Sequence, residues 1–346
     1  MKATVVIPTY NNEATIAGAI DSALAQRFDG QFEVVVVDDG STDRTHSILE
    51  RFGDRIRRID QPNRGVAAAR NVGLAAATGE FVALLDGDDA WREDKLAKTI
   101  PTLEQDPTCV AVFSDAIQID GAGEVVVPNF VEPRCAHAPT LDEMLAHAWP
   151  ILPSAIVVRR TALMEAGGFS EQFGPRAYGG EDVFAFMLLR ELGAIRYVPE
   201  KLVRYRLSAF IENLAKRVHA LDGDGRQTQD LGDPERLFDG YLIFARLVRD
   251  RYGARGRTLT ELSIKTVGLG LVGVGLMAIH EGNRARARQC YRASLRYRPL
   301  DLKTYVRLGW TMLPAGIADS LTTMLTPRLR RGLAGPPFHI LSDRVQ

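Results

Sequence analysis

Several quick routes to an assignment are missing from this sequence. Its three cysteines, Cys109, Cys135 and Cys290, lie too far apart for a zinc pattern or a disulfide framework, which points to a reducing compartment. No run reaches the ~18 consecutive apolar residues that argue for a membrane span. The nearest, Val267 to Ile279, is short and glycine-rich and reads as a buried core helix. The opening run Thr4 to Pro8 is too short for a signal peptide. No recognition motif for nucleic acid accompanies the basic residues. Formal net charge is +0.

The zero conceals an asymmetry. Residues 1–210 hold 21 Lys/Arg against 30 Asp/Glu, whereas residues 211–346 hold 22 against 13. Two units with different surroundings are expected, with a boundary near 208–232: an α/β unit over 1–210 and a basic helical region over 211–346. The remaining composition, 46% hydrophobic and 25% charged, is that of an ordinary globular chain.

The first hundred residues alternate in a βαβ rhythm. Strands are expected at Thr4 to Ile7, Phe32 to Val37, Arg55 to Ile59 and Glu80 to Leu85, with helices at Glu13 to Gln26, Thr42 to Phe52 and Val66 to Ala77. That rhythm predicts a parallel sheet covered on both faces, with ligands bound beyond the carboxyl ends of the strands. A hairpin is expected around Asp120-Gly121-Ala122-Gly123, a strand over Ser154 to Val158, a helix over Glu181 to Leu192, and helices from about Ser208 onward.

Chemistry gathers at the strand ends. Pro8-Thr9-Tyr10-Asn11-Asn12 follows the first strand, Asp38-Asp39-Gly40-Ser41-Thr42-Asp43 the second, and Asp86-Gly87-Asp88-Asp89 the fourth. Ser41 to Asp43 reads as a helix cap, but a cap does not explain paired carboxylates at the strand end before it. Asp86-Gly87-Asp88 can turn both carboxylates toward one point, where Mg²⁺ or Mn²⁺ prefers oxygen ligands and substrate phosphates; a turn accounts for the triplet equally well. Arg70 sits in an alanine-rich helix, either solvated or able to reach a base carbonyl or phosphate past its small neighbours. Glu181 and Asp182 open a helix, where they either balance its dipole or supply a general base.

Taken in order and spacing, Val5 to Asn11, Val35 to Asp43, Asn63 to Asn71, Gly79 to Phe81, Asp86 to Asp89, Gly167-Gly168-Phe169 and Gly180-Glu181-Asp182 resemble the family 2 glycosyltransferases. The resemblance spans roughly residues 3–206. It implies the GT-A nucleotide-diphospho-sugar transferase fold, a Rossmann-like mixed sheet, followed here by an all-helical extension. By that resemblance Pro8, Thr9, Tyr10, Asn11, Asp38, Asp39, Arg70, Asp86 and Gly87 bind the donor. Asp88, with Asp86, holds Mn²⁺ or Mg²⁺, and Asp182 is the general base, supported by Glu181. The implied reaction is inverting transfer from a nucleotide sugar, UDP-linked in preference, to a hydroxyl of a glycan or lipid-linked acceptor. The implied setting is cytoplasmic synthesis of bacterial cell-surface polysaccharide or glycolipid, at or near the inner face of the cell membrane.

The sequence departs from the family in two places. No histidine follows Val203-Arg204-Tyr205-Arg206, where many relatives carry one near the diphosphate, which leaves Arg204 or Arg206 for that task. No Gln-x-x-Arg-Trp motif is present, which argues against a processive polymerase. A sugar nucleotidyltransferase would need a glycine-rich basic loop where Pro8 to Asn12 has neither glycine nor lysine. A silent nucleotide-sugar-binding module would have no use for both a metal pair and a base. In the C-terminal region Gly282 to Pro299 resembles half of one tetratricopeptide repeat, too little for an array. Arg284, Arg288, Arg292 and Arg296 form a basic stripe, and Arg328, Arg330 and Arg331 a second cluster. They suit either a solvated face or an anionic membrane surface.

Overall fold

The computed structural model describes residues 2–146, 149–175, 180–206, 238–280 and 283–312. Strand β1 (Ala3–Thr9) is buried along its whole length. Alternate residues serve opposite layers: Val6 packs with α3 (Val66–Ala76), while Val5 and Ile7 pack with α1 (Ile16–Leu24). A strand covered on both faces needs such a continuous apolar run. β2 (Phe32–Asp38), β3 (Arg57–Asp60) and β4 (Phe81–Leu84) join β1 in parallel, in the order β3-β2-β1-β4. Close packing of α3 on β1 depends on Gly73, where an added Cβ would lie 2.2 Å from Val6 Cγ1.

Beyond β4 the sheet ceases to be parallel. β8 (Ile156–Arg159) runs antiparallel to both β4 and β6 (Cys109–Ile119), and β9 (Ala194–Arg206) runs parallel to β6. The two-residue β5 (Ala90–Trp91) closes the path on β9, and β7 (Val125–Val127) forms the expected hairpin on β6. The sheet is therefore mixed, as the resemblance implies, and the parallel expectation holds for its first four strands only. Several elements were not expected: α4 (Lys95–Gln105), the short helices α5 (Leu141–Ala146) and α6 (Arg160–Glu165), β5 and the long β9. α2 is shorter than expected, Thr45–Glu50. Its N-cap position is Arg44 rather than Ser41 or Thr42, and the preceding Asp43 carboxylate accepts from the Thr45 and Glu13 N–H groups.

α7 (Glu181–Leu192) matches its expected span. The C-terminal helices are α8 (Asp239–Tyr252), α9 (Arg257–His280), α10 (Arg284–Tyr297) and α11 (Leu302–Trp310). Phe244, Val248 and Leu259 share one hydrophobic core with Phe184 and Phe186 of α7 and the strands beneath. The expected boundary at 208–232 lies outside the described residues. The helical stretch Asp239–Leu276 is long and apolar enough by composition to cross a membrane, yet 44% of its most apolar window is buried within the molecule. α9 is gripped on several sides through its glycines. A Cβ on Gly270 would lie 2.2 Å from the Phe238 ring, and one on Gly275 2.5 Å from the Tyr291 ring.

A buried lysine supports the floor below the β4 end. Lys95 donates to the Ala155 carbonyl at 2.9 Å and stands over the Trp91 ring, and burial lowers its pKa to about 7. A folded-state pKa below the unfolded value means that unfolding takes up a proton between those two values, so this group makes stability rise from about pH 7 toward pH 10. Lys95→Met should remove that rise and leave the protein at least as stable at pH 7, as urea unfolding at pH 7 and pH 9.5 would measure.

Candidate active site

Asp39, at the end of β2, organises the loop between β3 and α3. Its buried carboxylate accepts from Gln61 Nε2 (2.6 Å), Arg64 N (2.9 Å) and Gly65 N (2.8 Å), fixing the loop that leads into α3. Three of its roughly four acceptor sites are filled, leaving room for one further donor. Asp38 is also buried and accepts from Ser41 N at 2.9 Å. Asn11 ties the first strand end to the second: it adopts φ 52, donates its N–H to Ser41 Oγ and accepts from Thr42 N. Tyr10 is exposed at the rim, and Pro8 lies within β1 opposite Val37. Thr9 Oγ1 is buried with no hydrogen-bond partner and lies 3.1 Å from where a Cβ on Gly87 would stand. A buried hydroxyl without a partner is a polar group still available to a ligand.

Arg70 is the centre of the constellation. Its Nη1 donates to Glu181 Oε1 at 2.9 Å and its Nη2 to Asp86 Oδ1 at 2.8 Å, with Phe169 below the guanidinium. It is buried rather than solvated, and both terminal nitrogens are committed to carboxylates rather than open to a base carbonyl. Burial by itself would lower its pKa, but Asp86, Glu181 and Asp182 outweigh that and hold it above the usual value. Motifs from α3, the end of β4 and the start of α7 thus meet on one cation.

The Asp86 to Asp89 turn is held from both sides. The Asp86 N–H donates to Ser154 Oγ at 2.9 Å, and Trp91 Nε1 donates to the Ser154 carbonyl at 2.7 Å. The Gly87 carbonyl accepts from Thr15 Oγ1. Buried Asp89 accepts from Arg206 N at 2.8 Å, and Arg206 Nε donates to the Asp88 carbonyl. Arg206 Nη1 and Arg204 Nη2 donate to carbonyls of the hairpin, at Asp120 and Gly123 respectively. Both arginines considered for the diphosphate therefore pin the hairpin in this structure; Leu207 and Ser208 lie outside the described residues. Desolvation and the charge of Asp86 push the Asp88 carboxyl up to about 7. Asp89 is raised well above the carboxylate range by burial, Asp88 and Asp86. Mutually repelling carboxylates on an oxygen-only donor set are of the chemistry a divalent cation would relieve.

Asp182 is half-buried at the first turn of α7. Burial and the adjacent Glu181 push its carboxyl up to about 7, against the opposing charge of Arg70. A carboxylate near neutrality suits a proton acceptor. Tyr178 and Gly179 lie outside the described residues. Gly180, at φ 98, is touched by α8: a Cβ there would stand 2.9 Å from Phe244 Cβ. One helical turn earlier, Tyr241 is raised by burial and by the charges of Asp182 and Glu181, which puts the C-terminal region within reach of the expected base. Ser154, Lys95 and Tyr241 had no motif to announce them.

A second acidic cluster lies at the ends of β2 and β3. One ligand atom each from Asp38, His46 and Asp60 falls within 4.8 Å of the others, a candidate metal set among the described residues. Arg58 already bonds both Asp60 oxygens, at 2.7 and 3.0 Å, and contacts the His46 ring, so a resident cation occupies the neighbourhood.

The mixed sheet with its helical extension is of the GT-A type, and the chain is a glycosyltransferase. Residues 4–167 match the glycosyl transferase family 2 model, so this stretch of the chain carries a family 2 glycosyltransferase domain. It is similar to an uncharacterized glycosyltransferase of Nostoc sp., 29% identical over 266 residues, covering 74% of this chain and 78% of that protein. In fold it resembles S. aureus TarS 1–349 in complex with UDP-GlcNAc, with TM-score 0.57 and 19% identity over 86% of this chain and 81% of that one. It likewise resembles a mannosyltransferase of Pyrobaculum calidifontis in complex with GDP-Man and Mn²⁺, with TM-score 0.51 and 20% identity over 93% and 87%.

Proposed function

We propose that the chain transfers one sugar from a nucleoside diphosphate sugar to an acceptor hydroxyl with inversion at the anomeric carbon. The catalytic unit would be residues 1–210 and the basic helical extension 211–346, at the cytoplasmic side of a membrane and in cell-surface glycan or glycolipid synthesis. The observation that supports this reading is Arg70 bridging Asp86 and Glu181, which are respectively the expected partner of the metal ligand Asp88 and the sequence neighbour of the expected base Asp182. The two fold relatives are solved in complex with nucleotide sugars, which supports a donor of that class here.

Thr9, Tyr10, Asn11, Asp38 and Asp39 would surround the base and ribose, with Thr9 Oγ1 and the open acceptor position of Asp39 offering hydrogen bonds. UDP is the favoured donor nucleotide. Asp88 and Asp86 would hold Mn²⁺ or Mg²⁺, which when bound neutralises charge on the departing diphosphate. Asp182 takes the proton of the acceptor hydroxyl as its oxygen bonds to C1 and the C1–O bond to phosphate breaks. Glu181, fixed by Arg70, keeps the first turn of α7 in place.

The test is thermal stabilisation by a panel of nucleotide sugars with and without Mn²⁺, followed by turnover. A matching donor should raise Tm in the presence of metal, since a ligand that binds only the folded state stabilises it by mass action. Asp88→Ala should abolish the metal-dependent part of that shift and lower turnover by about 10²-fold or more. A donor that binds and is never turned over with any acceptor would identify a silent binder instead.

A further inference from the structure

Away from the cleft, apolar side chains gather on α11 and the turn before it. Leu300, Leu302, Tyr305, Val306 and Met312 are 91, 77, 49, 67 and 56% exposed. At 100° per residue, Leu302, Tyr305 and Val306 fall on one stripe of α11, and Met312 lies in the turn that follows it. Thr304 and Thr311 are buried and Leu308 packs on the α10 side, so the stripe is turned away from the other described residues. Soluble surfaces scatter single apolar residues, whereas a contiguous stripe on one helix marks a contact surface.

The charges around the stripe select the partner. Lys303 and Arg307 lie on its flank along α11, and Arg292 and Arg296 are exposed one helical turn apart on the adjoining α10. Residues 211–346 as a whole carry 22 Lys/Arg against 13 Asp/Glu. An apolar helix face bordered by cations is the pattern of a helix lying in the headgroup layer of an anionic bilayer. The four-arginine stripe of α10 does not serve as a unit: Arg284 and Arg288 are half-buried, and Arg288 donates to the Thr311 carbonyl at 2.9 Å, anchoring α11. Arg328, Arg330 and Arg331 lie outside the described residues. α9, the helix apolar enough to span, has its glycine faces filled by Phe238, Tyr291 and Arg298.

We propose that α11 seats this protein on an anionic lipid surface, with Leu302, Tyr305, Val306 and Met312 immersed and Lys303 and Arg307 at phosphate level. This does not depend on the donor or the acceptor. The test is flotation of the full chain with phosphatidylcholine vesicles, with and without roughly one-third phosphatidylglycerol. Wild type should float with the anionic vesicles only, and less as salt shortens the Debye length from about 10 Å at 0.1 M to 3 Å at 1 M. Leu302→Glu with Val306→Glu should lower partitioning about tenfold or more. Val306→Trp should raise it, an outcome that misfolding does not produce. The donor-dependent Tm shift should stay as in wild type in all variants. Unchanged flotation of the double variant would overturn the proposal. So would a change in oligomeric state on gel filtration without any vesicle binding by wild type, which would make the stripe a contact between copies.

Discussion

Asp182→Asn should lower kcat by about 10²–10⁴-fold, the usual contribution of a positioned general base, with the donor-dependent Tm shift retained. Asparagine keeps the shape and still accepts the Val183 N–H that Asp182 Oδ1 now accepts at 2.8 Å, so the fold should be preserved. The wild-type pH profile supplies a second readout. Proton acceptance requires the ionised carboxylate, and its pKa stands near 7, so kcat should climb as pH rises through about 7 and level off above. In Asp182→Asn that ascending limb should vanish from the residual rate. Full activity in the variant would remove Asp182 from the mechanism, and the base would have to be sought elsewhere.

The second large effect belongs to Arg70. Its side chain is 3% exposed and that of Glu181 9%, so Arg70→Met leaves a buried carboxylate without its cation. Breaking a buried pair from one side costs about 3–5 kcal/mol. Urea unfolding should record a loss of that order, and turnover should fall together with it because Asp86 loses its orientation as well. Arg70→Lys should recover part of the stability but little activity, since one ammonium cannot reproduce a fork that engages two carboxylates at once. Wild-type turnover in Arg70→Lys would show that the bridge is structural only.

The strand ends were legible because parallel strands covered on both faces read as unbroken apolar runs, as in β1, β2 and β4, and polar residues stand out where the runs stop. α7 was legible for a similar reason, with glycine before it and after it. β9 was not: Arg196, Pro199, Glu200 and Lys201 break its pattern, and its pairing with β6 shifts register between Ser114 and Asp115, which takes up that stretch. α4 was hidden by Pro101 and its many polar residues. In the site, motif order located the carboxylates but not what links them. Arg70 and Glu181 are 111 residues apart, and an arginine in an alanine-rich helix looks solvated until the partner is seen. Lys95 acts through one hydrogen bond to a backbone carbonyl and Ser154 through bonds to Asp86 and Trp91, roles that leave no pattern in a sequence.

The placement of Phe244 against Gly180 bears on how this enzyme can be dissected. Cutting the chain after β9 would strip Phe244, Val248 and Leu259 from the face of α7 and leave an oily surface beside the first turn that carries Asp182. A fragment trimmed to the family motifs should therefore aggregate or lose its acceptor side, and the helical tail is better regarded as one wall of the enzyme than as an appendage.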